Sequence, residues 1–414
     1  MPNTKMTFQS ELDRVVLPVF DAPRLMPAID ELQSTQRCAH QFCALADVPM
    51  RDWSHLSACA IEPNVFYEPA WARLVSAQAR GRVNAQALLA WDGPEHRSLL
   101  GLLPVVSAWR ALKLPIPVLV AWQAYAPLTT PLLDRDTAEQ AAGGLIDAAR
   151  LAGASAILFP NLAQDGMAAF AIDGALARRG IRPRIHQTHL RARLNAKGDA
   201  ATLLRDALGP KKLKELRRQR NRLSDFGPVE FRMARSPEDV SSALDIFLTL
   251  EAQGWKGARG TALAQHEGDR RFIRDAAMAL AAQGRFEIAT LSHGGKPVAS
   301  GLLLRHHRRA YFFKIAIDET QARNSPGVQL TLDLTRQFCE DADIDDVDST
   351  ADADHPMIDH VWRDRQPLCH LFAPTQPNNY VTDILSGVIA SRAIARNQAI
   401  RLINAIRHLR EKRS

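Results

Sequence analysis

The chain has 414 residues, and its hydrophobic content of 46% and charged content of 23% are those of an ordinary globular protein. A chain of this length leads us to expect about two or three domains with packed cores. Its longest apolar stretches, 99–109 and 111–120, are shorter than the roughly 20 residues that a membrane span needs. The first residues lack a positive segment followed by an apolar run, so we predict a cytoplasmic protein.

The net charge of +7 is carried unevenly along the chain. Lysine and arginine crowd the segment 211–222 and recur along 392–413. Such runs usually form the solvated face of a helix. The alternatives are contacts with a polyanion: the phosphates of CoA, a tRNA or an anionic membrane surface.

The five cysteines are too few and too scattered for a disulfide framework. Cys38, His40 and Cys43 lie close together, but the second ligand pair of a zinc site is missing. We therefore expect free thiols and no bound metal.

The first part of the chain predicts an N-terminal extension, residues 1–60, and then a first lobe, residues 61–198. The extension has weak signals for a strand at Val15–Phe20 and a helix at Ala28–Ala46. The lobe follows the order helix, three strands, helix, strand, helix, strand. These elements are predicted at Pro69–Arg80, Gln86–Trp91, Leu99–Trp109, Val118–Trp122, Asp136–Ala152, Ala156–Phe159, Gly166–Arg179 and His186–Leu194.

A basic helix, Asp199–Leu223, connects this lobe (linker 199–225) to a second lobe, residues 226–375, which a basic helical tail follows, residues 376–414. The second lobe opens with a strand and two helices and then repeats the order of the first lobe. Its elements are predicted at Val229–Ala234, a helix from Pro237 that ends at Glu251, Asp269–Gln283, Phe286–Leu291, Pro297–Leu304, Ala310–Ile317, the helix after Gly327, Asp345–Ser349, Pro356–Arg363 and Pro367–Phe372. The remaining segments are predicted as a loop at Gly254–Thr261 and a solvent-facing hairpin tip at His306-His307-Arg308-Arg309. The fold class is therefore α/β, with two lobes that each contain a mixed sheet flanked by helices.

The turn before the helix that follows Gly327 is a candidate phosphate site, because backbone N–H groups at a helix N-terminus hold anions. Arg323 adds a positive charge beside it. The preceding strand, Ala310–Ile317, offers an edge that can pair with a chain of amides.

Several motifs of the chain are typical of one family. The most specific is Leu250-Glu251-Ala252-Gln253-Gly254-Trp255-Lys256-Gly257, followed by Gly260-Thr261-Ala262-Leu263. The others are Asn64–Pro69, Tyr125–Pro131, Arg218–Leu223, Gly295–Ala299, Ala322–Gly327 and Asp354–Trp362. Together these motifs resemble the GNAT superfamily, and within it the two-lobed branch of Fem-type peptidyltransferases and cellulose-biosynthesis-associated acetyltransferases. The resemblance implies two tandem GNAT-like lobes, of which the second is active and the first is degenerate.

The resemblance also implies the reaction, which is transfer of an acyl group, most simply acetyl, from acyl-CoA to an amine or hydroxyl. The acceptor would lie in the cleft between the lobes. In place of the usual glycine of the phosphate loop, this chain has Asn324 or Ser325. Two other functions therefore stay open: an aminoacyl-tRNA-dependent transferase of the Fem type, or an inactive fold that binds a polyanion.

An acyl transfer needs a base and a donor of hydrogen bonds to an oxyanion. Glu251 is our first candidate for the base, and Asp348 and His355 follow. Each has a structural alternative, since Glu251 could pair with Lys256, Asp348 could belong to a solvated acidic run, and His355 could cap a helix.

The remaining site predictions concern the donor and the acceptor. Candidate donor-binding residues are Lys314, Ile315, Arg323, Asn324, Ser325, Gly327 and Val328, with the oxyanion bound near Lys314–Ala316. Candidate acceptor-binding residues are Tyr125, Trp255, with core packing as its alternative, and Lys256, which suits an acidic group. The acceptor itself, an envelope precursor or a small molecule, and the oligomeric state are left open by the sequence.

Overall fold

The computed structural model describes residues 40–81, 84–225, 227–377 and 382–392. The predicted strand Val15–Phe20, most of the predicted helix Ala28–Ala46 and most of the basic tail lie outside these ranges. The part of the tail that is described, residues 382–392, is helical.

The described residues form one continuous sheet of thirteen strands. Their bounds are β1 His40–Ala44, β2 Gln86–Trp91, β3 Leu99–Ser107, β4 Val118–Ala121, β5 Leu132–Leu133, β6 Ala156–Ala163, β7 Arg184–Asn195, β8 Val229–Ala234, β9 Phe286–His293, β10 Lys296–His306, β11 Arg309–Ile317, β12 Asp346–Asp348 and β13 Asp364–Pro374. Their order across the sheet is β1-β2-β3-β4-β6-β13-β7-β12-β11-β10-β9-β8, and β5 pairs with β3.

Helices flank this sheet. Their bounds are α1 Met50–Cys59, α2 Pro69–Gln78, α3 Ala108–Leu112, α4 Ala138–Leu151, α5 Met167–Ala177, α6 Ala200–Ser224, α7 Pro237–Gln253, α8 Trp255–Ala258, α9 Glu267–Ala281, α10 Pro326–Glu340 and α11 Ile358–Val361. The mixed α/β class predicted from the sequence is confirmed.

The two halves of the chain exchange strands at the middle of the sheet. Strand β13 from the second half lies between β6 and β7 of the first half. Strand β7 in turn pairs with β12, where Asp346 faces Asn195. The boundaries predicted for the lobes stay predictions, but the central sheet is built by both halves together.

Three local predictions were wrong. Residues 40–44 are an edge strand paired with β2 and not a continuation of a helix. The predicted loop after Gly254 contains the short helix α8. The basic helix α6 is broken at Gly209, whose φ is 71°, because Pro210 follows and cannot donate a helical hydrogen bond.

The predicted solvent-facing hairpin tip was also wrong at two of its residues. The side chain of His306 is completely buried, and its Nε2 lies 2.9 Å from the carbonyl oxygen of Ser57. Arg309 is largely buried and pairs with Asp346 at 2.9 Å. The tip therefore packs against the first half of the chain through His306, while the closest ion pair of Arg309 lies within the second half.

An aromatic cluster joins the two halves beneath β11. Phe66 and Trp71 from the first half contact Phe313 from the second, at centroid distances of 5.7 Å and 5.0 Å. The Trp71 ring also lies edge-on to Phe272, at 4.9 Å. Such contacts between large apolar rings stabilise the packing of the halves and form the floor of the site described next.

Candidate functional site

Strand β11 has an irregular middle and a partly free edge. Its pairing with β10 shifts between Leu302 and Leu303, which face Lys314 and Phe312, so that Phe313 is an extra, bulged residue. On its other side β11 pairs with β12 only over Arg309–Tyr311. Among the described residues, the backbone of 312–317 therefore has no strand along this side.

Two side chains contact that free edge. The hydroxyl of Thr350 donates a hydrogen bond to the carbonyl oxygen of Phe312 at 2.7 Å, and Lys256 Nζ donates to that of Ile315 at 3.1 Å. The N–H and C=O of one strand residue point to the same side. The N–H of Ile315 consequently faces this edge as well, within the segment predicted to bind an oxyanion.

Glu251 holds two lysines beside the edge. Its Oε1 lies 3.4 Å from Lys314 Nζ and 3.5 Å from Lys256 Nζ, and its Oε2 accepts the N–H of Leu263 at 2.8 Å. The Glu251 side chain is fully buried, whereas both lysine side chains are 20% exposed. The cluster has one more positive than negative charge, and the predicted structural pairing of Glu251 with Lys256 is confirmed.

The three charges shift one another's protonation. Burial raises the pKa of Glu251, but Lys314 and Lys256 outweigh it and hold this pKa below its usual value. The pKa of Lys256 is lowered to about 8, chiefly by burial and also by the charge of Lys314, against the opposite effect of Glu251. Glu251 is therefore a firmly ionised anchor, while Lys256 loses its proton at a lower pH than a free lysine but is still mostly charged at pH 7.

Trp255 lies in the short helix α8, and its ring centroid is 5.7 Å from Lys256 Nζ. Its backbone N–H donates to Glu319 Oε1 at 2.7 Å, and its ring lies 5.1 Å from the Arg259 guanidinium. Helix α8 folds closely over the end of α7, so that a Cβ on Gly257 would lie only 1.7 Å from the carbonyl oxygen of Ala252. The half-buried Trp255 thus lies at the surface of the site rather than in the core.

Tyr125 belongs to the layer of residues beneath this cluster. Its backbone is left-handed, with φ 49°, and its carbonyl oxygen accepts the indole N–H of Trp71 at 3.0 Å. Trp71 contacts Phe313, whose ring lies 6.0 Å from Lys314 Nζ. The first half of the chain therefore reaches the lysines through Trp71, with Tyr125 behind it.

The predicted phosphate turn is formed by a 3-10 helix, Glu319–Asn324, and the start of α10. Ser325 between them is left-handed, with φ 51° and ψ 52°, a conformation that glycine adopts more easily. The N–H groups of Gly327 and Val328, at the start of α10, have no carbonyl one turn back within the helix. Asn324 is buried and bonds to Gln321, whereas Arg323 is exposed.

The other two candidates for the base are engaged in structural contacts. Asp348 is fully buried; its Oδ1 accepts the Thr350 N–H at 2.7 Å, and its Oδ2 lies 3.5 Å from Arg191. The alternative of a solvated acidic run is thus wrong for Asp348. His355 Nδ1 accepts the N–H groups of Met357 and Ile358 at 3.3 Å and 3.4 Å, so the predicted helix cap is confirmed.

Burial lowers the pKa of His355, and the charge of Lys256 lowers it further against the opposite effect of two nearby aspartates. His355 and Lys256 are therefore electrostatic neighbours. Because Nδ1 of the neutral ring accepts hydrogen bonds, its proton resides on Nε2, which can donate but not accept.

Sequence reasoning missed the pairing of the Lys314 side chain with Glu251 and the contact of Glu319 with Trp255. A signal for the first was present, since Lys314 interrupts an apolar and aromatic strand, Tyr311-Phe312-Phe313-Lys314-Ile315. A lysine there must find a buried partner or reach a cleft.

Neither a metal site nor a membrane-spanning helix is present among the described residues. No group of three or more His, Cys, Asp and Glu side chains in that part of the chain is arranged to hold a metal ion. No helix among the described residues is long and apolar enough to cross a membrane.

Residues 210–356 match the family described as "Acetyltransferase (GNAT) domain", which assigns a domain of this kind to the second half of the chain. No curated protein sequence matches the chain.

Several solved structures are similar over most of the chain. FemX is 10% identical, with 80% of this chain and 95% of that one covered and a TM-score of 0.48. L-PGS from Bacillus licheniformis is 14% identical, with 79% and 96% covered and a TM-score of 0.46. A tandem GNAT protein from the clavulanic acid biosynthesis pathway is 12% identical, with 82% and 100% covered and a TM-score of 0.37.

Proposed function

We propose that the protein is an acyltransferase that moves an acyl group, most simply acetyl, from acyl-CoA to an amine or hydroxyl acceptor. The observation that carries the proposal is the free, bulged edge of β11, which accepts a hydrogen bond from Lys256 and lies next to Gly327 at the start of α10. The family match over residues 210–356 supports the same class of reaction.

The residues present suit both the pantetheine chain and the pyrophosphate of an acyl-CoA donor. The free edge of 312–317 offers backbone groups to the amides of a pantetheine chain. The first N–H groups of α10 and the exposed Arg323 offer donors and positive charge to a pyrophosphate. When bound, the donor supplies an activated thioester carbon.

The N–H of Ile315 donates a hydrogen bond to the acyl oxygen as negative charge develops on it. A fixed backbone donor at this point needs no reorganisation during the reaction. Lys256, 3.1 Å from the carbonyl oxygen of the same residue, adds positive charge next to it.

The lysine pair also suits the acceptor. The excess positive charge of the cluster favours an acceptor with a carboxylate or phosphate group and disfavours a protonated amine nearby. An amine acceptor therefore loses its proton more easily here than in water. Glu251 acts as a positioning residue, because its carboxylate is buried and bonded on both oxygens.

Ligand-induced thermal stabilisation tests the proposal. Acetyl-CoA, longer acyl-CoAs and free CoA should raise the melting temperature, because a ligand at 100 times its Kd adds about 2.7 kcal/mol to the free energy of unfolding. Arg323→Glu should remove this shift. The matched control is Arg150→Glu, which replaces an exposed arginine in the first half of the chain and should retain the shift.

If millimolar acyl-CoA does not raise the melting temperature, the proposal that acyl-CoA is the donor is refuted. A tRNA complex retained at moderate salt in the same preparation would then support the aminoacyl-tRNA alternative. If neither acyl-CoA nor tRNA binds, the remaining alternative is an inactive fold that binds another polyanion. A response of Arg323→Glu equal to that of the wild type would move the phosphate site away from this turn.

A further inference from the structure

The second part of α6 presents a stripe of positive charge that the proposed reaction does not use. Lys211, Lys214, Arg218 and Arg222 follow one another at intervals of three or four residues, so they lie on one face of the helix. All four are exposed, and none forms an ion pair within the described ranges. At 1.5 Å per residue the stripe is about 16 Å long.

A groove of about 500 Å³ lies beside the stripe, between α6 and α10. Its floor is apolar, with Leu204, Leu216 and Leu332 almost completely buried. Its rim carries four arginines and one acid, Asp333. The arginines are Arg205, Arg217, Arg220 and Arg336.

The charge of this rim is only partly neutralised. Asp333 pairs with Arg220 at 2.7 Å and with Arg336 at 2.8 Å. Arg205 bonds to the hydroxyl of Thr202, and Arg217 forms no ion pair among the described residues. Neither guanidinium group forms an ion pair among the described residues, although the charge of Arg205 acts on Asp199.

The break in α6 allows Arg205 and Arg217 to line the same groove. Gly209 and Pro210 divide the helix, so that Arg205 precedes the break and Arg217 follows it on the two sides of one groove. A straight helix would spread these arginines along a single rod.

We propose that the stripe and the groove, together the α6 surface, bind the headgroups of anionic phospholipids at a bilayer surface. The stripe suits a plane of negative charge, and the groove suits one headgroup with the first carbons of its chains. A single-stranded nucleic acid fits less well, because residues 211–224 contain no aromatic side chain on which a base could stack.

Vesicle sedimentation with the full chain tests this proposal and needs no acyl donor. We expect binding to vesicles of phosphatidylcholine with phosphatidylglycerol, little binding to phosphatidylcholine alone, and loss of binding as salt increases. Lys214→Glu with Arg218→Glu should weaken the partition by roughly 25-fold or more, since each basic residue near an anionic surface contributes about fivefold. Arg205→Glu with Arg217→Glu should weaken it similarly.

Arg150→Glu with Arg182→Glu, which changes the net charge equally in the first half of the chain, should bind as the wild type does. If a reversed variant does not fold, the corresponding glutamine variants replace it. Equal binding to neutral vesicles would overturn the proposal, as would wild-type binding by either α6 variant. Displacement of the wild type from vesicles by millimolar inorganic phosphate would overturn it in favour of a soluble phosphate ligand, and displacement by tRNA in favour of nucleic acid.

Discussion

Replacing Glu251 with glutamine should destabilise the protein because it leaves two ammonium groups without their counter-charge. Glutamine keeps the shape of the side chain and can still accept the Leu263 N–H. Removing one partner of a buried ion pair costs about 3–5 kcal/mol. Both lysine side chains are 20% exposed, so we expect the lower end, about 3 kcal/mol at pH 7.

The loss of stability in Glu251→Gln should be larger at pH 7 than at pH 9.5. The pKa of Lys256 in the folded protein is about 8, below the value of 10.5 for a free lysine, chiefly because of its burial. The folded state thus binds fewer protons than the unfolded state between these values, and this group makes the free energy of unfolding increase as the pH rises through that window. At pH 9.5 Lys256 is mostly neutral, so Glu251→Gln should cost less than at pH 7.

Urea denaturation at pH 7 and pH 9.5 measures both effects. The double variant Glu251→Gln with Lys256→Met should be more stable than Glu251→Gln alone, because it removes one uncompensated charge. Glu215→Gln, which breaks an exposed pair with Lys212, is the control and should cost at most about 1 kcal/mol. A Glu251→Gln variant as stable as the wild type but without any turnover would refute the anchoring role and identify Glu251 as the catalytic base.

Two further predictions concern contacts between the halves of the chain. Burial raises the pKa of Glu68, which pairs with Arg285, to about 7, so the free energy of unfolding should fall as the pH rises from about 4.5 to 7. Glu68→Gln should flatten this decline in urea midpoints measured at pH 5 and pH 7, and an unchanged slope would contradict it. Gly268→Ala would place a Cβ 2.2 Å from the carbonyl oxygen of Gln78 and should cost about 1–3 kcal/mol, whereas Gly93→Ala meets no atom within 4 Å. Equal urea midpoints for these two alanine variants would show that α2 and α9 are not packed as described.

Apolar periodicity predicted most elements of the fold to within a few residues, because burial on one face repeats along the chain. Strands β2 and β8 agree with their predicted bounds at both ends. The position of β13 between β6 and β7 could not be read in the same way. Which strands become neighbours depends on contacts between distant segments, and no local pattern records them.

Buried charge was the second limit of sequence reasoning. Polar patterns were read as solvent-facing, yet Arg191 and Asp348 pair inside the sheet, and His306 is enclosed between the halves. A charge can be buried only when a partner from another element meets it. The sequence shows the charge but not the partner, so it does not show that Glu251 contacts Lys314 as well as Lys256.

The strand exchange and the aromatic cluster together imply that the first half of the chain is part of the site. Strand β7 lies against β12 at the point where β12 stops and the edge of β11 becomes free. Trp71 supports Phe313, the bulged residue next to Lys314. The gap beside β11 and the direction of its lysine are therefore both set by contacts with the first lobe. The first lobe is predicted to be a degenerate copy without a catalytic role of its own. The geometry of the proposed donor site nevertheless depends on that lobe.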